Sequence, residues 1–200
     1  GFIGNRVGTF WMQSAINATL DLGLTVDEAD AVLSRPMGLP KTGVFGLLDL
    51  VGIDLIPHIS ASLTKSLPAD DQYVVDNRDV PLMNKMISEG YTGRKGKGGF
   101  YRINREGGGK VKESINLQTG DYAKSEKARL ESVDAAKQGL RALVEHPDKG
   151  GQLAWRVLKE SLVYALNLVP EIADDIVKVD EAMRTGFGRK YGPFEMLDQL

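Results

Sequence analysis

The chain has 200 residues, 42% of them hydrophobic and 26% charged, which is typical of a globular protein and excludes a disordered or fibrous one. Its 25 Lys and Arg residues against 27 Asp and Glu residues argue against nucleic-acid binding by neutralisation of many phosphates. The chain has no Cys, only two His and no apolar run near the ~20 residues of a membrane span. These absences argue against disulfides, thiolate chemistry, a zinc site and a membrane span, and we expect a cytoplasmic protein.

The first predicted element is a long helix over residues 2–22. Its apolar side chains lie on more than one face, so we expect the helix to be covered on most sides and to end at Gly23. Pro and Gly residues predict a loop over 35–43 and a break at Gly52. One further helix is predicted to start at Thr25. Three more are predicted over about 44–51, 53–66 and 82–89.

Glycine and charged residues dominate the segment 93–99 and predict a turn. A short strand over 100–103 and a weak hairpin within 110–123 are predicted to come next. Helical spacing returns at about 133–144, 152–169 and 180–184. Since almost every element of length is helical, the predicted fold class is all-α. Residues 195–200 stop within a helical pattern, so we expect the chain to be a piece of a longer one.

The chain also contains an internal repeat. A shift of 150 residues aligns Arg6, Asp30 and Gly38 with Arg156, Asp180 and Gly188, and after one deleted loop residue the segment 43–49 falls on 192–198. We therefore predict a first helical repeat with a short terminal strand over 1–103, an insert over 104–147, and a degenerate, truncated second repeat over 148–200. We also expect 6–51 and 156–200 to follow the same helical path, related by a pseudo-twofold axis, and to cover each other's apolar faces.

Three segments in this order resemble the C-terminal domain of L-3-hydroxyacyl-CoA dehydrogenases. They are Gly1-Phe2-Ile3-Gly4-Asn5-Arg6, the stretch 45–54 (FGLLDLVGID) and Gly98-Gly99-Phe100-Tyr101. The second repeat resembles the degenerate copy found in long, multifunctional members of the family. The resemblance implies an all-α bundle, of the kind also found in the C-terminal domain of 6-phosphogluconate dehydrogenase, built as a tandem pseudo-repeat.

The resemblance also implies an activity, the NAD-dependent oxidation of 3-hydroxyacyl-CoA to 3-ketoacyl-CoA in fatty-acid β-oxidation. In this family an N-terminal Rossmann domain binds NAD and carries the catalytic His–Glu pair. No G-x-G-x-x-G motif stands between a strand and a helix in this chain, so we expect the chain alone to be inactive. The segment 93–99 is interpreted as a solvated turn; the alternative is contact with a phosphate of the acyl-CoA substrate.

Asn5 is the predicted catalytic residue. The resemblance places an Asn here at the substrate cleft, where its side-chain amide donates to the C3 oxygen of the substrate. Oxidation interconverts a hydroxyl and a ketone, so a fixed donor stabilises the charge that develops on this oxygen. The alternative is structural: Asn5 bonds only to nearby backbone at the start of its helix.

Other chemically suggestive side chains are interpreted as structural. They are His58, His146, Arg6, Arg156, Trp11 and Trp155. We expect the arginines to bond loop carbonyls or a carboxylate such as Asp49 or Asp198, and both tryptophans to lie in the core.

The chain departs from the family pattern at Gly43-Val44-Phe45-Gly46, where most members have Gly-Pro-Phe-Glu. This variant is similar to a subgroup in which an enoyl-CoA hydratase domain follows the dehydrogenase. One alternative function is a short-chain 3-hydroxybutyryl-CoA dehydrogenase, against which the second repeat argues. Another is a non-catalytic helical assembly module, which would be favoured if Asn5 were buried away from any cleft.

Overall fold

The structure is a computed structural model that describes residues 3–200; Gly1 and Phe2, part of the first family motif, lie outside the described residues. The helices of the first half are α1 (Ile3–Leu22), α2 (Val26–Val32), α3 (Gly43–Val51), α4 (Leu55–Ser66), α5 (Gln72–Val75) and α6 (Pro81–Ser88). The strands are β1 (Tyr101–Asn104), β2 (Val111–Ile115) and β3 (Tyr122–Lys124). The helices of the second half are α7 (Glu131–Ala135), α8 (Leu140–Val144), α9 (Lys149–Asn167), α10 (Ile176–Phe187) and α11 (Pro193–Leu197).

The chain divides into two compact units. One unit contains the described residues up to Leu24, Glu28–Val44 and Ala128–Leu200, and the other contains Thr25–Asp27 and Phe45–Lys127. The helix predicted to need cover on most sides, α1, lies in the first unit and packs against α9 and α10. The first unit therefore contains residues from both ends of the chain. These units are not the predicted sequence repeats, whose boundaries at 103 and 147 stay a prediction.

Helices α1 and α9 pack antiparallel. Near the start of α1, the ring of Phe10 stacks on Tyr164, with the ring centres 4.0 Å apart. Near its end, Asp21 pairs with Arg156 on the opposite end of α9, at 2.8 Å. Buried apolar residues fill the space between these contacts, among them Val7, Ala15, Ala18, Leu153, Ala154, Val157 and Leu158. The apolar faces of the two helices thus cover each other, as the sequence pattern predicts.

The second unit is built around a small antiparallel sheet in the order β1-β2-β3. Tyr101 pairs with Ser114, and Ser114 in turn pairs with Ala123. Beside the sheet, the rings of Phe45 and Phe100 meet edge to face with their centres 4.8 Å apart. The sheet confirms the predicted strand and hairpin, and it is the small exception in a chain that is otherwise mostly helical.

Several local predictions need correction. The helix predicted over 133–144 is broken, because Gly139 adopts φ 128° between α7 and α8. The short helix α5 was not predicted, and α11 ends at Leu197. Trp11 is buried as predicted, but the prediction for Trp155 is wrong: its side chain is 43% exposed on the outer side of α9.

No single described helix has the length and hydropathy of a membrane span. Helices α3 and α4 have that length and hydropathy only when taken together, and the chain bends by 95° between them.

Candidate functional site

Asn5 is the third residue of α1, and its side chain is exposed. Among the residues that the structure describes, none forms a hydrogen bond with this side chain. The structural alternative, a bond to nearby backbone, is therefore not what the described residues show. The role of Asn5 toward a substrate stays a prediction, for which the structure supplies the surroundings.

Contacts with α9 hold one side of α1 next to Asn5. Arg6 donates from Nε and Nη2 to the hydroxyl of Tyr164, at 3.3 Å each. The same Tyr164 ring stacks on Phe10, one turn further along α1. A bonded and stacked tyrosine fixes both the rotation and the position of the first two turns of α1.

Helix α10 holds a second side of α1 through two glycines. The ring of Phe187 lies so close that a Cβ at Gly8 would stand 2.1 Å from its Cζ, and a Cβ at Gly4 would stand 3.2 Å from its Cε2. Gly4 and Gly8 are four residues apart and so lie on one face of the helix. Only the absence of side chains lets the ring pack at this distance, and the Asn5 backbone is therefore held from two directions.

A third face of α1 carries Asn5 and, one turn later, Thr9. Asn5 is exposed and Thr9 is partly exposed. This face points away from the sides that Tyr164 and Phe187 cover, since its middle lies about 100° around the axis from the middle of the 4/8 face and from that of the 6/10 face. Side chains on this face are held rigidly at the backbone and are open at their tips, as a binding surface requires.

The second copy has different chemistry at the equivalent face. A shift of 150 residues places Trp155 where the first copy has Asn5, and both side chains are exposed. The positions of Gly4 and Gly8 are occupied by Ala154 and Leu158, both buried. The equivalent face of α9 therefore carries an indole ring in place of an amide. An indole has one N–H donor and no acceptor, whereas an amide has two N–H donors and an acceptor oxygen.

Both copies nevertheless share one backbone device. In the second copy, the buried carboxylate of Asp180 accepts hydrogen bonds from the backbone N–H groups of Phe194 (2.8 Å) and Glu195 (3.1 Å) at the start of α11. A Cβ at Gly192 would stand 2.2 Å from Oδ1 of that carboxylate. Burial raises the pKa of Asp180, and the hydrogen bond from Phe194 partly offsets this.

In the first copy, Asp30 is also buried, and a Cβ at Gly43 would stand 2.4 Å from its Oδ1. The preceding loops match as well, because Gly38 and Gly188 both adopt left-handed backbone, with φ 67° and 60°. The sequence repeat therefore corresponds to a repeated local structure.

Asp49 has a structural function in the second unit. Its buried carboxylate accepts the backbone N–H groups of Phe100 (2.8 Å) and Tyr101 (2.9 Å). Burial raises the pKa of Asp49 to about 6, although these two hydrogen bonds act in the opposite direction. A Cβ at Gly99 would stand 2.0 Å from Oδ1, so the glycine-rich turn is shaped by this carboxylate.

The turn 93–99 does not fit a dinucleotide. Its backbone N–H groups are already used: Gly93 donates to Gly98, Arg94 to Asp49 and Lys97 to Gly90, at 2.8–3.1 Å. A phosphate cradle needs such donors free at the start of a helix that follows a parallel strand. The strand after this turn belongs to an antiparallel sheet, so the turn lacks the setting of a dinucleotide site, and the choice between a solvated turn and contact with an acyl-CoA phosphate stays a prediction.

Two of the remaining candidate side chains, Arg156 and His146, have structural partners. Arg156 pairs with carboxylates, as expected, but these are Asp21 and Glu160 (3.0 Å) and not the suggested Asp49 or Asp198. His146 accepts the backbone N–H of Asp148 at Nδ1, 3.3 Å away, just beyond α8. His58 is exposed on α4.

Arg189 was missed by the sequence reasoning. It is 6% exposed, and its guanidinium lies 4.9 Å from the ring centre of Trp11. Burial lowers its pKa to about 10. Its position next to Gly188 in a loop gives no sequence signal for burial, because the contact depends on where α10 ends against α1.

The family profile described as 3-hydroxyacyl-CoA dehydrogenase, C-terminal domain, matches residues 1–103 and 151–200. The chain belongs to this family. The match in two segments includes residues of the helix that carries Asn5 and of the helix that carries Trp155, and it leaves the whole predicted insert, 104–147, outside.

Relatives of this C-terminal domain agree with the assignment. A Rickettsia felis protein described as a fatty acid oxidation complex trifunctional enzyme is 39% identical over 98% of this chain and 27% of its own length. A Bacillus subtilis protein described as a 3-hydroxyacyl-CoA dehydrogenase is 34% identical over 100% of this chain and 25% of its own length. A Deinococcus radiodurans protein described as a 3-hydroxybutyryl-CoA dehydrogenase is 34% identical over 51% of this chain. The chain thus spans about a quarter of the length of the Rickettsia felis and Bacillus subtilis relatives.

Proposed function

We propose that this chain is the substrate-facing C-terminal portion of an L-3-hydroxyacyl-CoA dehydrogenase of fatty-acid β-oxidation, which oxidises 3-hydroxyacyl-CoA to 3-ketoacyl-CoA. The observation that carries the proposal is Asn5, an open amide on a helix end that Tyr164 and Phe187 hold from two sides. NAD would bind a Rossmann domain outside this chain; the glycine-rich turn 93–99 supports this, because most of its backbone N–H groups already have partners. An enoyl-CoA hydratase domain in the same protein is a further expected partner.

Asn5 would act on the oxygen at C3. As the C3–H bond breaks, this oxygen changes from a hydroxyl to a carbonyl, and the charge on it changes during the step. An amide N–H held in place stabilises that charge without having to reorganise. An Asn side chain also keeps the same protonation state at every physiological pH, so it needs no tuned pKa.

The long form of the enzyme is favoured over the short-chain alternative. The Rickettsia felis and Bacillus subtilis relatives match both copies of the repeat, whereas the protein of Deinococcus radiodurans described as a 3-hydroxybutyryl-CoA dehydrogenase matches over only 103 residues. In the structure, the second copy covers α1 with α9, so it supplies packing that a single copy would have to find elsewhere.

The test is Asn5→Ala in the full-length protein, assayed with 3-hydroxyacyl-CoA and NAD. We expect kcat to fall by roughly 10²–10³, the usual loss for one preorganised donor at a developing charge. The matched control is Asn167→Ala, which removes an exposed amide at the end of α9 and should leave kcat unchanged. A folded Asn5→Ala enzyme with the wild-type kcat would contradict the proposal.

A further inference from the structure

Thr9 shares an unusual property with Asn5. Most polar side chains of α1 have partners within the structure: Arg6 bonds to Tyr164, Ser14 to Glu160, Thr19 to the carbonyl of Ala15, Asp21 to Arg156, and Gln13 and Asn17 are also engaged. Within residues 3–200, the side chains of Asn5 and Thr9 have no such partner. The two open polar groups are neighbours on one face of the helix.

The absence of a bond at Thr9 is informative because a helical threonine has an easy local acceptor. The hydroxyl of Thr19 in the same helix bonds to the carbonyl four residues earlier, at 2.7 Å, and Thr185 in α10 does the same at 2.8 Å. The hydroxyl of Thr9 makes no such bond within the described residues, and its side chain is partly exposed. This hydroxyl can donate one hydrogen bond and accept others.

The spacing of Asn5 and Thr9 suits a ligand with two neighbouring oxygens. Residues four apart on a helix have Cβ atoms about 5–6 Å from each other, so one small ligand can reach both side chains. The substrate class of the proposed function has such a pair, the oxygen at C3 and the thioester carbonyl oxygen at C1, with one carbon between their two carbons. The oxygen at C3 would also lie beside the first turn of α1, where the helix dipole favours negative charge.

We propose that the Thr9 hydroxyl donates a hydrogen bond to the thioester carbonyl oxygen of 3-hydroxyacyl-CoA while Asn5 contacts the oxygen at C3. This inference rests on the proposed function. Thr9 is then a substrate-binding residue that sets the register of the acyl group along α1. With two oxygens held, the substrate can place its C3 hydrogen in only one orientation relative to the helix.

The two residues should differ in their kinetic effects. The charge on the C1 carbonyl does not change while C3 is oxidised, so the bond from Thr9 is equally strong in the ground state and in the transition state. Uniform binding of this kind affects KM and leaves kcat unchanged. Loss of one neutral hydrogen bond corresponds to a rise in KM of about 2–10-fold.

The experiment compares Thr9→Val, Thr9→Ser and Thr185→Val in the full-length enzyme. Valine has nearly the shape of threonine, serine restores the hydroxyl, and Thr185 is an exposed helical threonine whose hydroxyl is bonded locally. Each variant is assayed with 3-hydroxyacyl-CoA. Each is also titrated with a thioether analogue, in which CH₂ replaces the C1 carbonyl, used as a competitive inhibitor.

We expect Thr9→Val to raise KM about 2–10-fold with kcat unchanged, Thr9→Ser to restore KM, and Thr185→Val to behave as wild type. The inhibition constant of the thioether analogue should be the same for Thr9→Val and wild type, because the analogue has no C1 oxygen to bind. An unchanged KM in Thr9→Val, or an equal weakening of substrate and analogue, overturns the inference. If Asn5→Ala still lowers kcat in either case, the proposed function stands without the role of Thr9.

Discussion

Helices α1 and α9 begin the two copies of the repeat, and they pack antiparallel against each other, yet their outer faces differ. The first turns of α1 expose the amide of Asn5, whereas the equivalent turn of α9 exposes the indole of Trp155. Behind these faces the backbone device is the same: a buried Asp set against a glycine at the start of a later helix. Both copies thus contain the buried Asp–Gly contact that stabilises the fold, but only the first copy exposes an amide at this position.

The copies also differ at α3 and at its counterpart in the second copy, α11. Asp49, near the end of α3 in the first copy, is buried and accepts two backbone N–H groups, while its counterpart Asp198 is exposed beyond α11. In exchange, the second copy has Glu195, which accepts the N–H of Gly192 and pairs with Arg184; the first copy has Gly46 at that position. The two copies therefore anchor this helix in different ways, α3 through Asp49 and α11 through Glu195.

The largest stability effect is expected where the two copies agree. Gly192→Ala would place a Cβ 2.3 Å from the Cα of Asp180, so backbone must move and the cap of α11 is lost. We expect the free energy of unfolding to fall by about 3 kcal/mol, from overpacking and the lost cap together. Gly43→Ala should cost at least as much, because its φ of 67° adds backbone strain.

Chemical denaturation of the two variants measures this effect, with Gly186→Ala as the control. Gly186 lies within α10 and has open space around its Cβ position. That control should gain about 0.5–1 kcal/mol from helix propensity. Full stability in Gly192→Ala would show that the shared Asp–Gly contact is not structural.

A change of similar size in the free energy of unfolding is expected with pH, and it should come from Asp49 in the first copy and not from its counterpart Asp198 in the second. Because folding raises the pKa of Asp49 from 3.8 to about 6, the folded state favours the protonated carboxyl. Its contribution to stability is full below pH 3.8 and is lost as the pH rises through about 6, a change of about 3 kcal/mol. Asp49→Asn should remove this component from the pH profile.

Urea denaturation between pH 4 and 7 tests the difference between wild type and Asp49→Asn, since other carboxyl groups contribute equally to both. Asp198→Asn, which changes the exposed counterpart, should keep the wild-type profile. Parallel profiles for wild type and Asp49→Asn would rule out the effect of burial at Asp49.

The smallest effect concerns Gly4 and Gly8 of α1, whose equivalent positions in α9 are Ala154 and Leu158. Gly8→Ala forces the Phe187 ring away and should destabilise the protein by about 1–2 kcal/mol. In a Phe187→Ala background the clash is absent, and the same change should stabilise by up to about 1 kcal/mol through helix propensity. The reversal of sign in this double-mutant cycle is the measurement. The same sign in both backgrounds would mean that the ring does not pack against Gly8.

The sequence was a good guide where local pattern decides the structure. Apolar spacing identified α1 and α9, and the repeat identified the matching Asp and Gly positions. Gly139 was misjudged because one glycine within helical spacing does not interrupt the apolar pattern, and its φ of 128° depends on the packing around it.

Trp155 was misjudged for a different reason. Helix α9 has apolar residues on two overlapping faces, and only the partner helix decides which face is buried. The buried set includes Leu153, Val157 and Tyr164, which turns Trp155 outward. Thr9 and Arg189 gave no signal at all, because an exposed threonine and a loop arginine are common and their surroundings are set by tertiary packing.

The central claim is that Asn5 acts on the substrate during oxidation at C3 and that Trp155 does not. The most direct measurement is the primary deuterium isotope effect on kcat, with substrate deuterated at C3, in full-length wild type, Asn5→Ala and Trp155→Ala. If Asn5 stabilises the charge on the C3 oxygen, its loss slows the step that breaks the C3–H bond, and that step limits the rate more fully. The account predicts a larger isotope effect in Asn5→Ala than in wild type and an unchanged one in Trp155→Ala. An isotope effect in Asn5→Ala equal to that of wild type, in a folded enzyme, would contradict it.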